Sequence, residues 1–153
     1  MKSPKFILTY NLNKLAELLR ILGYDAFVAR SISFDKMITL AVKERRTLLT
    51  RSSRQANSNK KFSRKLIKAE LPIDQLEELR ELIEYDMDKL FTRCLKCNSL
   101  LSPAAKEKLP ETVPEYVRDN YDEFRYCSRC KQLFWQGTHY EDMLAKIKTF
   151  FNK

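Results

Sequence analysis

All four cysteines of the chain fall in two Cys-x-x-Cys pairs, Cys94–Cys97 and Cys127–Cys130. A two-residue spacer lets both thiolates of one tight turn reach the same ion, and zinc takes four such ligands in a tetrahedron. The two pairs therefore predict one four-thiolate zinc site. Four protein ligands leave no open coordination position, so the expected zinc is structural rather than reactive. The pairs are separated by 29 residues, Asn98 to Tyr126, which is long for a zinc ribbon and predicts a folded insert. Disulfides are the competing use of such pairs, in an oxidising compartment. The N-terminus, Met1-Lys2-Ser3-Pro4-Lys5, has no signal-peptide pattern, and no apolar run approaches a membrane span. Metal-bound thiolates in a reducing, cytoplasmic setting are the expectation, with no membrane partner. The single histidine, His139, is not needed as a ligand.

The second group of residues with chemistry to offer is cationic. The formal charge is +9, and it is unevenly placed. Residues 43–68 carry ten basic side chains against one acid, Glu44, whereas residues 69–90 carry eight acids against Arg80 and Lys89. A local surplus of cations attracts phosphates through Coulomb attraction and counterion release. Arg51, Arg54, Lys60, Lys61 and Arg64 are the leading candidates for nucleic-acid contact. Arg129 and Lys131 flank the second cysteine pair, where a protruding basic turn could track a backbone. A solvated charged face is the plainer use of such a run.

These residues need a scaffold, and the hydrophobic pattern predicts one of α/β class. Lys5 to Thr9 reads as a buried strand, with Phe6-Ile7-Leu8 a continuous apolar run. A helix is expected from about Leu12 to Leu22, with Asn11 as its cap and Gly23 at its stop. Ala26 to Ala29 reads as a second strand, and a helix follows Ser33. Thr47 to Thr50 reads as a third strand. This alternation predicts a parallel sheet. Arg51 to Arg64 reads as an exposed loop with one helical turn, and Leu66 to Leu71 as a fourth strand. A long helix is expected from Pro72 to about Leu90, with Asp74 and Glu77 at capping-box spacing. Between the cysteine pairs a short helix is expected over 114–120. Leu133 to Trp135 reads as a strand, and Glu141 to Phe151 as a closing helix.

Several runs also resemble a known family. They include Leu15-Ala16-x-x-Leu19-Arg20-x-Leu22-Gly23-Tyr24-Asp25, then Asp35-x-x-Ile38-x-x-Ala41, Glu44-x-Arg46 and Leu49-Thr50-Arg51. The most specific runs are Arg93-Cys94-x-x-Cys97-Asn98, Cys127-x-x-Cys130 and Trp135-x-Gly137-Thr138-His139-Tyr140. Together they resemble the mut-seven C-terminal RNase family, a PIN-like nuclease domain followed by a zinc ribbon. The resemblance implies a PIN-like domain over residues 1–90 and a four-cysteine ribbon with a C-terminal helix over 91–153. It also implies RNA cleavage by Mg2+ or Mn2+ held by clustered carboxylates at the C-terminal edge of the sheet. Hard divalent cations need such oxygen ligands to activate water and stabilise the displaced phosphate.

The chain departs from that pattern. Thr9 and Ser52 stand where the family is expected to carry aspartates, and neither hydroxyl is charged at neutral pH. Asp35 and Asp25 match the remaining acidic positions and are the catalytic candidates. Lys14 is expected near the same edge. Lys131 stands where glycine usually follows the last cysteine. The first expectation is thus a catalytically degenerate member that binds RNA, or a ribonucleoprotein such as the ribosome, through its basic patch. An active endoribonuclease with a rearranged acid set, using Asp74 or Asp86, is the second. A non-enzymatic adaptor for an acidic protein is the third.

Overall fold

Phe6, Ile7 and Leu8 are wholly inaccessible to solvent, as a strand covered on both faces requires. They form the heart of β1 (Lys5–Thr9) in a computed structural model that describes residues 2–153. The chain divides into two compact units, Met1–Asn98 and Ser99–Lys153.

In the first unit β1 leads through a 3-10 turn (Tyr10–Leu12) into α1 (Asn13–Ile21) and β2 (Asp25–Ala29). α2 (Phe34–Glu44) and β3 (Arg46–Thr50) follow, then the single turn α3 (Ser53–Ala56), β4 (Arg64–Leu66) and α4 (Pro72–Glu77). The four strands are all parallel, in the order β2-β1-β3-β4. The first crossover moves one way along the sheet and the second the other way. Right-handed connections then put α1 and α2 on opposite faces. The side chains agree. Ile7, aligned with Leu48, shares a core with Ala29 and with Met37 and Ala41 of α2. Phe6 and Leu8 point to the other face, where Phe6 meets the Tyr24 ring edge-on at 5.9 Å. There α1 buries Leu15 and Leu19, and α4 packs beside it with Leu76. The predicted α/β class with a parallel sheet is observed.

Local expectations fare unevenly. Ser33 caps α2 by accepting from the Lys36 N–H at 3.2 Å. Asn11 does not cap α1. Its Oδ1 accepts from the Thr9 hydroxyl at 2.7 Å, and Leu12 occupies the cap position. The fourth strand lies earlier than expected and is shorter. Past Leu66, the Ile67 N–H still reaches the Thr50 carbonyl, but the Lys68 and Ala69 N–H groups turn to the Glu78 carboxylate. The helix expected over Pro72–Leu90 stops at Glu77. Two 3-10 turns, Arg80–Leu82 and Met87–Lys89, replace the rest. Leu71 is the α4 cap residue and makes no side-chain cap bond, so Asp74 and Glu77 form no capping box. Glu78 is drawn to the preceding loop, and the Glu84 N–H donates to the Tyr24 hydroxyl at 2.6 Å. Of the apolar stripe expected on that helix, Leu76, Leu79, Ile83 and Leu90 are nevertheless buried, and Leu82 is exposed. Irregular chain can bury the same residues that a helical stripe would.

The second unit holds β5 (Ser102–Ala104), a 3-10 turn (Lys106–Lys108), α5 (Glu115–Asn120), β6 (Phe124–Cys127), β7 (Gln132–Trp135) and α6 (Thr138–Phe151). Its three strands are antiparallel in the order β5-β6-β7. A small core of Leu109, Val113, Val117 and Phe124 lies under them. The predicted insert helix, exit strand and closing helix are all present, the last beginning three residues early. No described helix is long and apolar enough to cross a membrane.

Candidate functional site

The ligand atoms of Cys94, Cys97, Cys127 and Cys130 all lie within 4.8 Å of one another. Zn–S bonds of about 2.3 Å place the sulfurs of a tetrahedral site about 3.8 Å apart. The donor set and spacing therefore fit zinc, with a slight inward movement. Cys94 and Cys127, the first of each pair, are fully buried. Both knuckles turn through the left-handed region at the residue after the second cysteine, Asn98 at φ 71° and Lys131 at φ 57°. In the first knuckle the Asn98 N–H donates to the Cys94 carbonyl at 2.9 Å. In the second the Cys130 N–H donates to Cys127 Sγ at 3.3 Å.

The two left-handed residues differ in what their side chains do. Lys131 is exposed, and its Cβ is a steric cost of about 1 kcal/mol in this conformation. We expect Lys131→Gly to stabilise the zinc-loaded protein by up to about 1 kcal/mol. Asn98→Gly should instead destabilise it, because the Asn98 amide is a structural bridge. Thermal unfolding of the two variants side by side checks the contrast.

That bridge ties the first knuckle to the start of β2. Asn98 Nδ2 donates to Asp25 at 2.7 Å, and Asn98 Oδ1 accepts from the Ala26 N–H at 2.9 Å. Arg20, only 4% exposed, donates twice to the Ala26 carbonyl (3.0 and 2.8 Å) and once to the Leu95 carbonyl (2.7 Å). Arg93 donates to the carbonyls of Gly23 and Asn98 at 3.1 and 2.9 Å. Arg46 grips the Asp25 carboxylate with two nitrogens at 2.6 and 3.1 Å. Burial pushes the Asp25 carboxyl pKa up. The bonds from Arg46 and Asn98 outweigh this and hold it below the ordinary value.

Register puts Asp25 beside Lys5 and Arg46, at the N-terminal edge of the sheet. Thr9 and Ser52 lie at or just past the other edge, where β1 and β3 end. Asp35, in the first turn of α2, is on that side too. The two catalytic candidates, Asp25 and Asp35, are thus not brought together. Nor is Asp86 available to Asp35. It caps the turn at Asp88 and pairs with Lys89 at 3.2 Å, and the Lys89 backbone abuts Gly23, just before β2. Asp74 sits in the first turn of α4. Among the described residues, only the four cysteines form a convergent group of three or more potential metal ligands.

A cleft of about 540 Å³ opens at the C-terminal edge, lined by Phe34, Asp35, Ser52, Arg54, Gln55, Ser58 and Lys60. Its one carboxylate, Asp35, is ion-paired with Lys60. Behind the wall lies a fixed polar network. The fully buried Thr50 hydroxyl donates to Gln55 Oε1 at 2.6 Å and accepts from the Ser52 N–H at 3.0 Å. Ser52 Oγ accepts from the Gln55 N–H at 3.3 Å, so it caps α3. Beyond the β1 end, the Arg30 guanidinium stacks on the exposed Tyr10 ring at 4.7 Å. Gln55, Thr50 and Phe34 were not legible as site residues. The signal was the position of Thr50 as the last residue of a central strand, whose hydroxyl must find partners when buried.

The cationic candidates separate by their partners. Arg51, Arg54 and Lys61 are exposed and form no ion pair among the described residues. Lys60 is held by Asp35, and Arg64 stacks on Phe62 at 4.5 Å while donating to the Lys60 carbonyl at 2.8 Å. Lys14 pairs weakly with Glu17 at 3.4 Å. Arg129 and Lys131 are exposed on the second knuckle.

The Mut7-C RNAse domain family model matches residues 4–147, nearly the whole chain. No curated protein and no solved structure matches it. A parallel α/β sheet, a convergent four-cysteine group and a match across both units leave one assignment: the chain belongs to the Mut7-C RNAse domain family of ribonuclease-type proteins.

Proposed function

We propose that this member of the ribonuclease family binds RNA without cutting it, using the exposed cations of the loop over residues 51–64. The observation that carries the reading is the chemistry of the cleft: one carboxylate, and that one ion-paired with Lys60. Metal-assisted phosphodiester hydrolysis needs several acidic oxygens to seat a hard divalent cation. A wall of donors suits a phosphate itself. Arg51, Arg54 and Lys61 stand ready to release counterions from a phosphate backbone. The four-cysteine centre holds zinc as a structural element and supplies no chemistry to RNA. Free RNA and RNA within a ribonucleoprotein such as the ribosome present the same phosphate backbone to this loop.

Incubation of the zinc-loaded protein with end-labelled RNA and Mg2+ or Mn2+ tests this. The RNA should be bound and remain intact. Arg51→Ala with Lys61→Ala should weaken binding several-fold and flatten its salt dependence by about one unit per cation removed. Metal-dependent cleavage that Asp35→Asn abolishes would return the protein to the active nucleases. Binding that ignores the loop substitutions would point instead to an acidic protein as the partner of this face.

A further inference from the structure

The cleft has the makings of a phosphodiester site that dispenses with a metal. Three of its lining groups, Arg54, Gln55 and Lys60, can donate hydrogen bonds through nitrogen, and one, Asp35, can accept as an anion. Arg54 is exposed at the rim. Lys60 projects an ammonium onto Asp35. Gln55 is oriented from behind, because the buried Thr50 hydroxyl is bonded to its Oε1. That bond commits the amide oxygen and leaves Nε2 to donate. Thr50 cannot easily turn away, since it also accepts from the Ser52 N–H. The donors are thus of two kinds, mobile cations and one fixed neutral amide. Together they match the charge and the oxygen lone pairs of a single phosphate.

Asp35 is the odd member. A carboxylate beside a phosphate site repels its ligand. Here it holds Lys60, and both side chains of the pair are largely exposed, at 77% and 52%. An ion pair so exposed is weak, so an entering phosphate can take Lys60 from it. Asp35 then acts as a stand-in anion, keeping the ammonium at the wall while the cleft is empty.

We infer that the cleft binds one phosphodiester group of a single-stranded RNA through Arg54, Lys60 and the Gln55 amide, with Asp35 as an internal competitor for Lys60 rather than a metal ligand. This deepens the RNA-binding reading above and rests on it. The alternative, a weak divalent-metal site built on Asp35, makes opposite predictions for two substitutions.

The test is fluorescence anisotropy of the full zinc-loaded chain with a labelled uridine octamer, at matched ionic strength, with and without Mg2+. Asp35→Asn should tighten binding about three- to ten-fold, since it removes one negative charge near the phosphate and frees Lys60. Gln55→Glu should weaken it about ten-fold, since it keeps the Thr50 bond but puts an anion in the donor's place. Mg2+ should not be required by any variant. Asp35 is largely exposed, so Asp35→Asn puts the fold at little risk; circular dichroism of both variants confirms folding. Weaker binding by Asp35→Asn, tighter Mg2+-dependent binding by Gln55→Glu, or a strict need for Mg2+ would overturn the inference. Binding that responds to Arg51→Ala and Lys61→Ala but to neither cleft substitution would overturn it while leaving the RNA-binding reading intact. No binding by the unaltered protein would sink both.

Discussion

Cys127→Ser is expected to disorder residues 99–153 while leaving the parallel sheet of the first unit folded. The second unit is 55 residues long, and its buried core amounts to Leu109, Val113, Val117 and Phe124, with Ile147 and Phe150 from α6. Fully burying a side chain of this kind contributes about 1.5–3 kcal/mol. Fixing one residue's backbone costs about 1–2 kcal/mol. A core this small cannot offset the ordering of so many residues. Four-thiolate zinc binding supplies about 10–16 kcal/mol of apparent free energy in small peptides at neutral pH. Loss of one thiolate from the centre removes most of that.

The first unit does not depend on the metal in the same way. Phe6, Ile7, Leu8, Leu48 and Leu49 are wholly buried in its sheet, and the first knuckle is also held by Arg20 and Asn98. Hydrogen exchange should show the contrast. In Cys127→Ser, and in the unaltered protein treated with a strong zinc chelator, amides of β6 and β7 should exchange freely while those of β1 stay protected. Zinc content should fall from one ion per chain to none. Retained protection of β6 and β7 after chelation would mean that the ribbon is ordered by its own packing.

Which features could be read from sequence follows from how local their causes are. The Phe6-Ile7-Leu8 run marks β1 because a strand buried on both faces needs every residue apolar. Leu15, Ala16 and Leu19 mark α1 by spacing alone. The cysteine pairs mark their site because few other uses suit that spacing in a reduced chain. The failures share a different cause. Leu76, Leu79, Ile83 and Leu90 recur as a helical stripe would, yet Glu78 and the Tyr24 hydroxyl hold the chain irregular, and Tyr24 lies 60 residues from Glu84. The cleft partners Lys60 and Asp35 are 25 residues apart. Asp25 and Asn98 are 73 apart. Nothing in the spacing of an acid says that a distant amide will claim it. Asp25 therefore reads as a catalytic candidate from its motif, and only the register of β2 puts it at the far edge, inside a clamp.

That clamp predicts a marked effect of its own. Arg46→Ala should cost about 3–5 kcal/mol, the range for removing one partner of a buried ion pair. The Arg46 and Asp25 side chains are 10% and 17% exposed, so water screens the pair little. The loss leaves a poorly solvated carboxylate with the Asn98 amide and the more distant charge of Arg93, and it also strips the Phe6 carbonyl of a donor at 3.1 Å. Asp25→Asn is the gentler change, because the amide keeps an acceptor for Arg46 and removes the charge that required it. The pH dependence separates the two effects. The folded-state pKa of Asp25 is depressed, so the pair's contribution is fully present above the unfolded value of about 3.9 and is lost as pH falls through the folded one. The unaltered protein should therefore lose stability as pH drops below about 4, with a slope to which Asp25 contributes. Asp25→Asn should be less stable near neutrality and flatter through that acid range, so that the two curves converge at low pH. Urea unfolding at a series of pH values, followed by far-ultraviolet circular dichroism, measures this. Parallel curves for the two proteins would mean that Asp25 is not the group whose ionisation the clamp stabilises.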